Sequence, residues 1–200
     1  MVLNNGLRFG LNAQKNEVYI TGHIDENVKE VIIPSEINGY PVKKIDFGAF
    51  SNCRDLQNIV IPNSIKIIGD KAFYNCESLT ELIIPNNIMY IPEAAFENCT
   101  NIKKITIGAS ITCVFFLKYI KNSLESIEVD VENKNYFSID GVLFGFSECD
   151  TITLVQYPLD KKSKNYTVPV LIDRVKKDAF EGAGYLENIC FKNDDIKWIN

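Results

Sequence analysis

The feature that most constrains the fold of this chain is a pattern that recurs every 23 residues. An Ala-Phe pair repeats with that step, and a cysteine follows each phenylalanine at a distance of three residues. The members are Ala49-Phe50, Ala72-Phe73 and Ala95-Phe96, followed by Cys53, Cys76 and Cys99. One such unit cannot bury its own apolar face, whereas stacked units can, so the pattern predicts a repeat solenoid.

Each repeat is predicted to contain one short strand with a buried face. The pairs Ile59-x-Ile61 and Leu82-x-Ile84 alternate with period two, which is typical of a half-buried strand. A proline follows each pair and ends the strand, because it has no N–H to donate to a ladder. Further along, Ile65 and Ile68 are expected to turn inward on the return side. The Ala-Phe segment then suits a short helical or 3₁₀ turn.

The third unit departs from the pattern. Gly108 replaces the proline, Tyr119 stands where phenylalanine is expected, and Asn122 stands where cysteine is expected. The pattern resumes one residue early at Leu124. Packing in this stretch therefore cannot be inferred from the repeat.

No repeat pattern is found from residue 130 to residue 158, and we expect residues 130–165 to form a β-hairpin insertion. Asp140-Gly141 lies between two runs of alternating apolar residues, which is a strong hairpin pattern. A further strand-like run covers residues 152–157. The repeat returns at Val168-Pro169 and at Ala179-Phe180.

The chain is predicted to be a single domain, residues 1–200. Residues 1–27 look like strands that cap the first coil, residues 28–129 hold the main repeats, and residues 166–200 hold further ones. The last coil stops part-way through, so we expect the C-terminal cap to be missing. Residues 1–6 show neither a basic nor an apolar stretch of the signal-peptide kind.

The repeat resembles the BspA-like (treponemal-type) leucine-rich repeats. Its pattern is Leu-x-x-Leu-x-Ile-Pro-x-x-Ile-x-x-Ile-x-x-x-Ala-Phe-x-x-Cys, and the segments 33–42 and 136–144, with Tyr157-Pro158, look like parts of the same family. The similarity runs from near Lys15 to the end of the chain and breaks at residues 108–123. It implies a β-rich, right-handed leucine-rich-repeat coil with short helical or 3₁₀ return segments and a hairpin insertion. It also implies a place on a bacterial or protozoan surface, a role in adhesion, and no catalytic residues.

Charge and hydropathy argue against two classes of partner. The net charge is -5 and the pI is about 5.0, which does not favour nucleic acid. The longest basic cluster, Lys161-Lys162-Ser163-Lys164, is expected to be a solvated loop. No apolar run approaches the ~18 residues of a membrane helix, so no membrane insertion of this segment is expected.

The cysteines are expected to be structural. Cys53, Cys76 and Cys99 share one repeat position, which favours a stack of buried thiols. The spacing of adjacent coils does not exclude disulfides, but parallel side chains disfavour them. The other three cysteines show no spacing that indicates a disulfide partner: Cys113, Cys149 and Cys190. No Cys-x-x-Cys spacing exists, so no metal site is expected.

No catalytic device is predicted. His23 is the only histidine and stands beside Gly22, where an exposed turn is expected. The acidic pairs Asp25-Glu26 and Asp194-Asp195 look like solvated turns, and no phosphate-binding glycine loop or cofactor motif occurs. Gly182-Ala183-Gly184 is read as a helix end. The chain is therefore predicted not to be an enzyme, and no cofactor is expected.

The candidate binding residues come from the outward-facing positions of the strands. Stacked coils would align them into two columns, and curved arrays use such a strand face for binding. One column is Ile32, Val60, Ile83, Thr106 and Glu128, and its neighbour is Glu30, Asn58, Glu81, Lys104 and Ser126. The first four residues of each column are the predicted site. The alternative is that isoleucine and valine are there only for strand propensity.

Two functions remain open from the sequence. The first is a non-catalytic binding or adhesion module of a cell-surface or secreted protein, whose partner is a host or cell-surface protein. The second is a structural or assembly module that spaces domains or self-associates through the ends of the solenoid. A cytoplasmic location is the alternative to the cell surface.

Overall fold

A computed structural model describes residues 1–3, 5–147 and 151–199 of the chain. The described chain is a β-solenoid of about eight turns with almost no helix. Cys149 lies outside the described residues. The strands in chain order are β1 (Leu7–Asn12), β2 (Glu17–His23), β3 (Glu30–Ile32), β4 (Glu36–Ile37), β5 (Tyr40–Ile45), β6 (Asn58–Val60), β7 (Ile67–Ile68), β8 (Glu81–Ile83), β9 (Lys104–Ile107), β10 (Ser126–Val129), β11 (Tyr136–Ile139), β12 (Val142–Phe146), β13 (Ile152–Gln156), β14 (Asn165–Val168), β15 (Arg174–Lys176), β16 (Asn188–Phe191) and β17 (Lys197–Ile199).

One side of the solenoid, here called the strand face, carries the first strand of each coil. Parallel pairing joins β3 to β6, and β8 to β9 and then β10. Further along, β14 pairs with β16 in the same parallel sense. The strands are short because a proline follows several of them, as the sequence predicts: Pro34, Pro62, Pro85 and Pro169 each come one or two residues after a strand.

The opposite side, here called the return face, carries shorter pairings. Strands β2, β5 and β7 run parallel near the start, and β13, β15 and β17 run parallel near the end. The Ala-Phe segments lie at the end of the return side as turns. In one coil the segment is a 3₁₀ helix, Glu93–Phe96. A second 3₁₀ helix spans Phe115–Tyr119.

A column of aromatic rings fills the centre of the coils. The rings of Phe50, Phe73 and Phe96 are fully buried and stack with centroid distances of 5.5 and 5.1 Å. Offset stacking of this kind adds to the free energy of burial. The small residue before each phenylalanine is also buried, and its carbonyl accepts the N–H of the phenylalanine in the preceding coil: Phe50 N–H donates to Ala72 and Phe73 N–H to Ala95.

In the third unit, two residues do not occupy the inward positions that a step of 23 residues would assign to them. Phe116, not Tyr119, continues the aromatic column, with its ring 6.2 Å from that of Phe96. Asn122 is exposed, and the neighbouring Ser123 is buried instead. The cause is a shorter segment before the ring: Phe116 comes five residues after Ile111, whereas Phe96 comes eight residues after Ile88 in the preceding coil, so a fixed step of 23 no longer finds the inward position.

Gly108 is required where the other coils carry proline. A side chain there would bring its Cβ to 2.5 Å from the Pro85 carbonyl oxygen, which real structures do not tolerate. The Gly108 carbonyl in turn accepts a hydrogen bond from the buried Asn133 amide at 2.8 Å. Asn133 Oδ1 also accepts the N–H groups of Asn135 and Tyr136. Gly108 and Asn133 together hold the start of the insertion against the repeats.

The predicted hairpin is confirmed. Strands β11 and β12 pair antiparallel around Asp140-Gly141, and β12 continues the sheet into β13. The tip of the hairpin lies against β10, where Ile127 N–H donates to the Gly141 carbonyl at 2.8 Å. The third strand, β13, joins the return face, and the ring of Tyr157, which follows it, lies 5.4 Å from that of Phe180.

Strand β12 separates two apolar clusters. Leu143 packs into the larger cluster, which extends from Leu7 to Ile127. Val142 and Phe144 point the other way, into a smaller cluster that includes Leu154 and Tyr157. All three side chains are fully buried. Because successive side chains of a strand point to opposite sides, one strand serves as the wall of both clusters.

Candidate binding surface

The strand face places the predicted site residues side by side as two columns. Ile32 pairs in register with Val60, and Ile83 with Thr106. In the neighbouring column, Glu30 pairs with Asn58, and Glu81 with Lys104. The register follows from parallel pairing of coils, in which equivalent residues of successive repeats stand next to each other.

The first column begins with three exposed apolar residues. Ile32, Val60 and Ile83 are 65%, 55% and 56% exposed, while the residues that flank them in sequence pack into or against the larger apolar cluster. Thr106 follows and is half-buried. A contiguous row of exposed β-branched side chains is a feature that soluble proteins usually reserve for contact with a partner.

The second column is polar and borders the first. Glu30, Asn58, Glu81 and Lys104 are all exposed. Asn58 donates a hydrogen bond to Glu30 Oε1 at 3.3 Å. The apolar row is therefore rimmed on one side by carboxylate, amide and ammonium groups.

The hairpin limits this surface at its downstream end. Glu128 accepts hydrogen bonds from Ser126 at 2.9 Å and from Ser138 of β11 at 3.4 Å. Val129 N–H also donates to Ser138 Oγ at 3.2 Å. Glu128 and Ser126 are thus half-buried and engaged within the chain, and the free part of the two columns ends at Lys104 and Thr106.

Residues 24–152 match the family model of the BspA-type leucine-rich repeat region, in six copies. The chain belongs to the BspA-type leucine-rich-repeat family. The six copies span the strands β3, β6, β8, β9 and β10, which carry the candidate surface. No match was found among curated protein sequences.

Solved structures of bacterial leucine-rich-repeat proteins have the same fold. One from Bacteroides capillosus is 27% identical, with a TM-score of 0.58, and the alignment covers 64% of this chain and 97% of that one. The T. pallidum leucine-rich-repeat protein is 16% identical, with a TM-score of 0.53 and coverage of 98% and 85%. The pneumococcal vaccine antigen PcpA is 19% identical, with a TM-score of 0.58 and coverage of 98% and 66%.

The cysteines of the BspA-type repeats are buried and reduced. Cys53, Cys76 and Cys99 are free and inaccessible, and Cys76 and Cys99 donate S–H hydrogen bonds to the carbonyls of Phe50 and Phe73. The hydrogen bond with Cys99, together with burial, raises the pKa of the Cys76 thiol far above its usual range. Burial also raises the pKa of Cys53. Protonated thiols of this kind are poor nucleophiles.

The histidine of this chain is engaged with backbone groups. His23 Nε2 lies 2.7 Å from the Asn5 carbonyl oxygen, and its Nδ1 accepts the Asp25 N–H at 3.0 Å, which closes a local turn. No group of three His, Cys, Asp or Glu side chains within residues 1–3, 5–147 and 151–199 could hold a metal ion. No helix in that part of the chain is long and apolar enough to cross a membrane.

The sequence interpretation overlooked a second exposed apolar group, on the return face. Phe47, Ile67, Met89 and Tyr90 are each more than half exposed and line a groove of about 520 Å³. A sequence signal existed, because Ile67 and Tyr90 are one repeat step apart and each directly precedes an inward-facing isoleucine. This group provides a matched control for tests of the strand face.

Proposed function

We propose that this chain is a non-catalytic protein-binding module that contacts its partner through the strand face. The observation that carries the proposal is the row of Ile32, Val60 and Ile83, three neighbouring apolar side chains that are each more than half exposed. Burial of such a row against a partner would remove it from water, a gross gain of about 25 cal/mol per Å² of apolar surface that offsets the entropic cost of association.

The surroundings of the row favour a protein partner. Its rim carries Glu30, Glu81 and Lys104, a mixture of both charges, and the whole chain has a net charge of -5. A nucleic acid would require a basic surface. An apolar centre with a polar rim is the usual anatomy of a protein–protein interface.

The binding test uses beads coated with the protein and presented to cultured epithelial cells, with albumin-coated beads as the blank. The variant Val60→Glu with Ile83→Glu places two carboxylates in the centre of the row. We expect it to lose adhesion while its circular dichroism spectrum stays that of the wild type, because both side chains point into solvent.

The matched control is Ile67→Glu with Tyr90→Glu, which makes the same chemical change on the return face at 52% and 54% exposed positions. We expect this control to retain adhesion. Equal adhesion of the strand-face variant and the wild type would rule out the strand face as the site.

Display at a cell surface or secretion is part of the proposal, and its support is the family resemblance. Antibody labelling of intact source cells, compared with permeabilised ones, tests it. Labelling only after permeabilisation would instead place the protein inside the cell, in the cytoplasm.

The second candidate function is assembly through the end of the solenoid. The observation in its favour is that Tyr185, Ile189 and Trp198 in the last coil are 48%, 38% and 49% exposed. Light scattering over a concentration series tests it. A mass that rises with concentration, and that Trp198→Glu returns to the monomer value, would support assembly; a constant monomer mass would refute it.

A further inference from the structure

A cleft opens on the return side where the repeats meet the insertion. The repeats contribute residues 112–115 and Leu117 to its lining, and the insertion and the coil after it contribute Tyr136, Val155 and Lys176. The cleft has a volume of about 520 Å³. It exists because the third coil does not pair with the next return strand: β11 and β12 come between them, and β13 pairs only with β12 and β15 among the described strands.

The lining of the cleft is apolar on the side of the repeats. Phe115 stands at the rim with 68% of its surface exposed, although phenylalanine is usually buried. Val114 is half-buried next to it, and Leu117 is buried at the base. Val155 is half-buried on the opposite wall. An apolar side chain of a ligand would therefore contact apolar surface on two sides.

Two half-buried lysines line the same cleft without a counter-charge. Neither Lys121 nor Lys176 forms an ion pair with any residue that the structure describes. By contrast Lys118, also in the lining, pairs with Glu93. The acidic group of the lining is Asp178, which is exposed. Partly buried cations are stabilised by a neighbouring anion, so these two ammonium groups are available to a ligand carboxylate.

We propose that this cleft binds an acidic peptide segment of a protein partner, with an apolar side chain against Phe115 and Leu117 and carboxylates on Lys121 and Lys176. The cleft lies outside the strand face, so it is a second site and does not depend on the function proposed for that face. Its volume is within the range of ~300–1,000 Å³ that ligand pockets occupy.

The charge pattern selects the acidic partner. The chain as a whole is acidic, with a net charge of -5, and would repel an acidic peptide over most of its surface. Lys118 is neutralised by Glu93, so Lys121 and Lys176 against Asp178 leave the lining of the cleft with a net positive charge. Attraction confined to one site on a repelling surface gives specificity as well as affinity.

The experiment measures fluorescence anisotropy of a labelled short peptide that has a central phenylalanine flanked by aspartates, with both ends blocked. The comparison peptides replace the aspartates by asparagines or the phenylalanine by alanine. We expect each replacement to weaken binding by about tenfold or more. Binding should also weaken as sodium chloride is added, because salt screens the contacts.

The protein variants are Lys121→Glu with Lys176→Glu in the cleft, and Lys134→Glu with Lys192→Glu as the control. Lys134 and Lys192 are exposed, lie outside the cleft lining, and their change alters the net charge equally. We expect the cleft variant to bind the aspartate peptide at least about tenfold more weakly than the wild type does. The control variant should bind it as the wild type does, and both should keep the wild-type melting temperature.

Three outcomes would overturn the proposal. They are equal affinity for the aspartate and asparagine peptides, equal weakening in the cleft and control variants, and no binding at all. Octanoate is added as a competitor to distinguish a free amphipathic acid from a peptide. Octanoate binding in the cleft without peptide binding would show that the cleft takes a small acid, and would overturn the peptide assignment.

Discussion

At the scale of single residues, the asparagine before each repeat cysteine has a structural role that explains its recurrence. Asn52, Asn75 and Asn98 have φ angles of 65, 60 and 64°, in the left-handed region. Asparagine tolerates this region better than most residues. Their side chains also form a ladder, in which Asn75 donates to Asn52 and Asn98 donates to Asn75, each at 2.8 Å. In the later coil Gly182, with φ of 96°, fills the same position.

This geometry predicts different effects for two substitutions of Asn75. Asn75→Ala keeps a Cβ in the left-handed region and loses two ladder hydrogen bonds, so we expect a loss of about 2–3 kcal/mol in the free energy of unfolding. Asn75→Gly removes the same hydrogen bonds, but glycine adopts the left-handed region without strain. We therefore expect its loss in the free energy of unfolding to be about 1 kcal/mol smaller than that of Asn75→Ala. Urea unfolding measures both. Equal losses in the two variants would mean that the backbone angle contributes little.

The cysteine column predicts a pattern of alkylation. Cys76 and Cys99 are fully buried, and the raised pKa of Cys76 keeps its thiol protonated, whereas Cys190 is exposed. Native protein treated with iodoacetamide at pH 8 should be modified at Cys190 and not at Cys76 or Cys99, as read by mass spectrometry of peptides. Denatured protein should be modified at all three. Rapid native labelling of Cys76 would show that the coils open readily.

At the scale of elements, the hairpin turn is determined by its own residues and by its neighbour. Asp140 and Gly141 have φ angles of 51 and 73°, as the two-residue turn that fits a hairpin requires. Gly141 has a second constraint, because an added Cβ would lie 2.5 Å from Ser126 Oγ on β10. The turn therefore serves both to reverse the chain and to allow the hairpin to approach the repeats.

A comparison of two glycines separates these constraints. Gly39 lies in an equivalent turn between β4 and β5, with φ of 80° and no atom within 4 Å of an added Cβ. We expect Gly39→Ala to lower the free energy of unfolding by about 1 kcal/mol from the backbone alone. Gly141→Ala should lower it by about 2–4 kcal/mol, since close packing resists the added methyl. The measurement is urea unfolding, and equal losses would show that the hairpin tip moves away from β10 without penalty.

At the scale of the whole molecule, the insertion joins two stacks of coils. The larger cluster ends at Ile127 and Leu143, and the smaller one begins with Val142 and Phe144. Asp160 adds a polar link, since its carboxylate contacts the Lys103 ammonium and its N–H donates to the Leu124 carbonyl at 2.9 Å. Coils of a solenoid are stabilised mainly by their neighbours, so β12 couples the two stacks.

Substitutions at adjacent residues of β12 should therefore destabilise different stacks of coils. Leu143→Ala removes packing from the larger cluster, and Phe144→Ala removes it from the smaller one, each at a cost of about 2–5 kcal/mol. Hydrogen exchange followed by mass spectrometry should show faster exchange of β9 and β10 in the first variant. The second variant should show faster exchange of β13 and β15. The same exchange pattern in both variants would mean that the two clusters open as one unit.

The solenoid, the positions of most inward-facing residues and the hairpin can all be predicted from the amino-acid sequence. This is possible because regular stacking requires the same residue at the same position in each coil, so the period of 23 residues is visible in one chain. The hairpin at Asp140-Gly141 was equally local, because its turn demands two residues with positive φ. The two columns of the strand face followed from the same period, and their role in binding stays a prediction.

Other contacts depend on tertiary packing and cannot be predicted from the 23-residue period. Tertiary packing placed Phe116 in the aromatic column instead of Tyr119, since the third coil is three residues shorter than the preceding one between Ile111 and this ring. It drew Glu128 into contact with the hairpin, and it brought Lys121 and Lys176 into one cleft across 55 residues of chain. For Glu128 and for the two lysines, the physical reason is the insertion. Where an insertion interrupts the stack, neighbours in space are no longer one repeat apart, and only the packing of the insertion decides which residues meet.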